Sequence, residues 1–163
     1  MVFVTVGNAM QGFLRFLKGV DALAEKNFFN EEVFMQTGNN SGFLPKHCMY
    51  KSFVSMDEFQ QYMERASLII CHGGCTQLQA VRMGKTPIVM PRRKKYGEHV
   101  NDHQVQLVQA LASERLIVPA YDVEDLPAAV TEARKLNFAT SSVQPSHMTE
   151  LVEAAMKELV NQS

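Results

Sequence analysis

The segment Cys71-His72-Gly73-Gly74-Cys75-Thr76 brings thiols, an imidazole and paired glycines together just before a helical pattern. Glycines let backbone approach a ligand closely, and a helix that starts behind them offers unpaired N–H groups to an anion. That is the make-up of a phosphate site. The same residues also suit a tight strand-to-helix turn that needs glycine for its own geometry, with His72 merely packed and hydrogen-bonded. A zinc reading of Cys71, His72 and Cys75 fails on spacing, because such sites join a C-x2-C pair to a second pair and the chain has none. Cys71 reads instead as a buried strand residue and Cys75 as a small loop residue. No Asp-x-Asp pair and no Walker-type G-x4-G-K-[ST] occur, so phosphate charge would be met by helix N-termini and basic side chains, with no metal expected.

A second reactive stretch lies downstream. Arg92-Arg93-Lys94-Lys95 could neutralise a diphosphate, a membrane surface or RNA, although an exposed charged loop is the plain alternative. Tyr96-Gly97-Glu98-His99 follows. His103 and Gln104 stand three and four residues after Val100, on the side of Leu107, Val108 and Leu111, so polar groups are expected in the buried stripe of a helix's first turn. Beside Asp102 they are suited to hold ligand hydroxyls, or else form an internally satisfied cluster. His72, His99 and His103 are the histidines near enough to act as a general base.

These residues need a scaffold that gathers loops at one end. Short apolar runs alternate with helical patterns, the sequence form of β-α units and a mainly parallel sheet. Strands are expected at 2–6, 32–37, 48–53, 68–71, 87–90 and 116–118. Phe13, Phe16, Leu17, Val20 and Ala24 mark one face of a first helix. Ser55 and Glu58 have capping-box spacing for a second helix to about Arg65. A third runs from the Gly-Gly turn to Gly84, a fourth starts near Val100, and a fifth spans 123–136. Residues 137–146 read as a linker, and 147–160 as a terminal amphipathic helix within a tail that ends at 163.

With 163 residues, 46% hydrophobic and 20% charged, the chain is sized for one folded domain. Its net charge of −1 argues against nucleic acid as a partner. Three cysteines and no secretory or membrane-spanning pattern point to the cytoplasm.

The opening VFVTVGNAMQGFLRFLKGVDAL and the block ASLIICHGGCTQLQAVRMGKTPIVMPRRKKYGEHVNDHQ, in this order and spacing, resemble the glycosyltransferase family 28 C-terminal domain over about residues 1–135. The nearest resemblance is to PssE-type exopolysaccharide glycosyltransferase subunits. It extends to the small catalytic subunit of the eukaryotic UDP-GlcNAc transferase of dolichol-linked oligosaccharide synthesis. The resemblance implies an α/β, Rossmann-like domain over 1–136, the donor-binding half of a GT-B enzyme. By the same implication Gly7 and Asn8 lie near the phosphates or sugar, and Val54 meets uracil through its backbone. His72, Gly73, Gly74, Cys75 and Thr76 form the diphosphate loop, and Asp102, His103 and Gln104 face sugar hydroxyls. Relatives usually read H-G-G-x-[AG]-[ST]-x-x-E; this chain is one residue shorter there and has Gln79 where Glu meets the ribose.

The expected function is therefore donor binding and catalysis in an inverting two-component glycosyltransferase that moves a sugar from UDP to a lipid-linked saccharide. The helix after Gly74, with Arg92 or Lys95, would stabilise departing UDP. A membrane-anchored, acceptor-binding partner would recruit the chain to the cytoplasmic face of a membrane and could itself hold the base. The alternative is a non-catalytic nucleotide-sugar-binding or assembly subunit. RNA binding through the basic loop is a third, less favoured reading.

Overall fold

The computed structural model describes residues 1–140. Six strands form one all-parallel sheet: β1 (Val2–Thr5), β2 (Val33–Gln36), β3 (Met49–Lys51), β4 (Leu68–His72), β5 (Ile88–Met90) and β6 (Val118–Pro119). Their spatial order is β3-β2-β1-β4-β5-β6. The chain thus winds outward one way from β1 and the other way from β4, so the β1/β4 junction is the topological switch point, where loops at the carboxyl ends diverge and leave a crevice.

The apolar runs become strands because both sheet faces are covered. α1 (Leu14–Glu25) and α5 (Leu126–Thr140) cover one face, where Phe16, Leu17, Val20, Leu126 and Val130 pack on Val2, Val4, Met35, Ile70 and Ile88. α2 (Met56–Arg65), α3 (Cys75–Arg82) and α4 (His103–Ser113) cover the other, placing Met63, Val81, Val108 and Leu111 on Phe3, Phe34, Ile69 and Val89. α2 opens as expected: Ser55 Oγ accepts from Glu58 N–H, and the Glu58 carboxylate accepts from Ser55 N–H. Lys85 closes the same helix, donating from Nζ to the carbonyls of Met63, Glu64 and Ala66 at 2.6–2.7 Å. Those carbonyls would otherwise lack partners.

Two expectations are corrected. α4 begins at His103 and Val100 is exposed, because Asn101 Oδ1 accepts from His103 N–H and Asp102 Oδ1 from Lys94 N–H, which holds the approach to the helix as a loop. α5 continues through Thr140 rather than yielding to a linker at 137, and Asn137 clamps Thr86 by both its N–H and its carbonyl. The rest of that linker and the terminal helix lie outside the described residues. No helix among the described residues is long and apolar enough to cross a membrane.

Candidate functional site

The loops at the switch point are locked by side chains from distant segments. In the β1–α1 loop, Gly7 takes φ +69°, Asn39 Nδ2 donates to the carbonyls of Asn8 and Ala9, and Asn40 Oδ1 receives the Phe13 N–H at 2.7 Å. Across the crevice the β4–α3 turn carries His72. Its ring is wedged between two glycines: a Cβ on Gly7 would stand 2.6 Å from Cε1, and one on Gly74 2.3 Å from Nε2. Burial, with the Arg92 charge close by, pushes His72 down to about 4. The ring is therefore neutral near pH 7 and a weak base. Gly73 serves a third contact, since a Cβ there would lie 3.1 Å from Gln104 Cβ and from Val108. The paired glycines thus admit an imidazole and a packed helix, in line with the alternative reading of a turn that needs glycine for its own geometry.

Between these loops and the β3–α2 turn lies a cleft of about 410 Å³. Gly7, Asn8, His72, Cys75 and Thr76 line one side; Phe53, Val54, Met56 and Phe59 line the other, with Gln36. Phe59 continues into an aromatic cluster, edge-on to Phe3 at 5.4 Å, with Tyr62 stacked on Phe34 at 4.1 Å. α3 points its N-terminus at the cleft. Its N-cap is Gly74, which gives no side-chain cap, and its first turn holds no acidic residue. The positive end of the helix dipole is therefore uncompensated, which suits an anion beside an apolar wall that suits a flat ring.

The cleft gathers Gly7, Asn8, Val54, His72, Cys75 and Thr76, and leaves other expected site residues outside its lining. Arg92 is fully buried, its guanidinium donating to the carbonyls of Val6, Gln11, Gly12 and Glu98 while stacking 4.8 Å from the Phe13 ring centre. With Nη1 and Nη2 so engaged and the whole side chain buried it is a loop anchor, which corrects its expected role at phosphate. Gln104 is likewise committed, its Oε1 accepting from Arg92 N–H at 3.0 Å. His103 is exposed, against the expectation of a buried stripe. His99 Nδ1 meets Asn101 Oδ1 at 3.0 Å. Lys95 and Asp102 border a separate depression of about 340 Å³ with Arg93 and Val105. Gln79 donates from Nε2 to Gln60 Oε1 at 2.8 Å and does not line the cleft. Sequence reasoning missed Gln36, Phe59 and the anchoring asparagines; an amide closing an otherwise apolar strand was the available signal for Gln36.

A doubly wound parallel sheet, open at its switch point between an uncapped helix and an apolar wall, defines a nucleotide-binding class of α/β domain. The family model of the glycosyltransferase family 28 C-terminal domain matches residues 1–161, and the chain belongs to that family. It is accordingly a glycosyltransferase domain of the nucleotide-sugar-binding, Rossmann-like type. Comparison with curated proteins gives no match.

Proposed function

We propose that the cleft binds the UDP portion of a UDP-sugar, and that the chain is the donor-binding subunit of an inverting two-component glycosyltransferase acting on a lipid-linked saccharide in exopolysaccharide or glycan synthesis. The observation that carries this reading is the pairing of the uncapped α3 N-terminus with the Phe53–Val54–Phe59 wall across one cleft. The diphosphate sits at the helix end and the uracil against the wall. In an inverting transfer the acceptor hydroxyl forms the new bond to the anomeric carbon as the bond to UDP breaks, and its proton passes to a base. The α3 dipole favours the charge that grows on UDP.

A neutral His72 with so low a pKa is poorly matched to act as that base near pH 7. The proton then goes to His99 on the neighbouring loop, to His103 at the start of α4, or to a group on the partner. Exposed apolar side chains support a membrane-anchored partner: Met10, Phe53 and Met56 stand in the loops that frame the cleft, and Tyr96 and Val100 in the β5–α4 loop at the same end of the sheet. A partner that covers this end would hold the acceptor and bring the chain to the cytoplasmic face of the membrane.

Calorimetric titration of UDP-sugars into the chain, alone and with its co-purified partner, tests the proposal. Saturable binding is expected, and its absence in both forms refutes the reading. The engagement of Gln79 with Gln60 favours a second reading, a nucleotide-sugar-binding or assembly subunit without catalysis. Binding without transfer or hydrolysis in the reconstituted complex would select it.

A further inference from the structure

β2 reads Val33-Phe34-Met35-Gln36, three apolar residues and then an amide, all buried. Val33 and Met35 enter the core beneath α1 and α5, whereas Phe34 enters the core beneath α2. Side chains alternate along a strand, so Gln36 shares the face of Phe34. The register aligns Gln36 with Thr5 of β1, and Thr5 with Cys71 of β4, in the next row on that face after Phe34-Phe3-Ile69. Gln36 is only 7% exposed, yet it lines the cleft. Its Oε1 is buried and has no hydrogen-bond partner among the described residues.

A buried acceptor without a donor costs stability, and buried polar groups in native proteins are nearly always paired. The missing donor has a natural source in the cleft. β2 lies between β3, which leads to the Phe53–Val54 wall, and β1, which leads to Gly7; β4 and the α3 N-terminus lie beyond. With strands about 4.8 Å apart, a nucleotide laid from the wall to the helix end passes over β2 with its nucleoside, not its phosphates.

We propose that Gln36 is a nucleoside-recognition residue whose side-chain amide, turned about its terminal torsion to bring the unpaired oxygen to the cleft, accepts a hydrogen bond from a ribose hydroxyl or from the imide N–H of the base. This rests on the nucleotide-sugar reading above and adds the residue that would fix the nucleoside within it. An acceptor left unpaired until ligand arrives places its cost on the empty protein and its benefit on the complex.

Gln36→Met keeps side-chain length and removes the amide; Gln36→Leu is the second variant should the first not fold. UDP is titrated calorimetrically into wild-type and variant full-length chains, and both are melted without nucleotide. UDP affinity is expected to fall about tenfold while the ligand-free melting temperature stays equal or rises. Unchanged affinity overturns the proposal, and so does a lowered melting temperature that accompanies the loss, since that marks a structural amide. If the wild-type chain binds neither UDP nor any other nucleoside diphosphate, the nucleotide reading itself falls. Titration with 2′-deoxy-UDP narrows the donor: a loss that vanishes with the deoxy ligand assigns the ribose 2′-hydroxyl, and one that persists assigns the base or the 3′-hydroxyl.

Discussion

His72 and Gly74 are fitted to one another so closely that a single methyl on Gly74 would stand 2.3 Å from the imidazole Nε2. Retreat of the ring is blocked by Gly7, where a Cβ would lie 2.6 Å from Cε1. Gly74→Ala is therefore expected to destabilise the fold by about 1–3 kcal/mol through overpacking. In a His72→Ala background the same substitution should cost far less. Urea unfolding of the two single variants and the double variant checks this; strictly additive changes would show that the ring is not the obstacle.

The same enclosure sets a pH dependence. Burial first, and the Arg92 charge second, lower His72 to about 4 from the ordinary 6.5. Between those values the unfolded chain binds a proton that the folded ring refuses. Stability therefore rises with pH across the window and is lost as pH falls from 6.5 towards 4, by at most about 3 kcal/mol. Denaturant midpoints at pH 7 and pH 4.5 should diverge more in the wild-type chain than in His72→Gln, and equal divergence would remove His72 as the cause.

Arg92 ties the β1–α1 loop to the β5–α4 loop through carbonyls of Val6, Gln11, Gly12 and Glu98. Arg92→Met should leave these acceptors without their donor and cost about 3 kcal/mol or more. Arg92→Lys should recover little, because an ammonium cannot span a planar fork's set of partners. Thermal melts would show the loss in the absence of any nucleotide, whereas a variant of normal stability with weakened binding would return Arg92 to the ligand.

The alternation of strand and helix was legible because each element carries its own period: the α1 stripe through Phe16, Leu17 and Val20, and the Ser55/Glu58 cap. The glycine-led start of α3 was also legible, since Gly74 and the helix behind it are adjacent in sequence. Arg92 was not, because within a run of four cations it resembles its neighbours. Only carbonyls 80–86 residues away distinguish it. Val100 misled for the opposite reason, having helical spacing to Leu107 while Asn101 and Asp102 spend their side chains on loop backbone. Gln36 is unremarkable as a letter and distinctive only by what it lacks.

No charged side chain lines the cleft among the described residues, whose walls are glycine, amide, thiol, hydroxyl, aliphatic and aromatic groups with one neutral imidazole. An anion bound in this cleft would therefore be met by oriented peptide dipoles rather than by mobile counter-charge. Such a surface does not reward each added negative charge as a lysine cluster would. If the cleft takes a UDP-sugar as proposed, a product that carries more charge than its donor would gain no corresponding hold here, and turnover would be spared a trap at the moment of release.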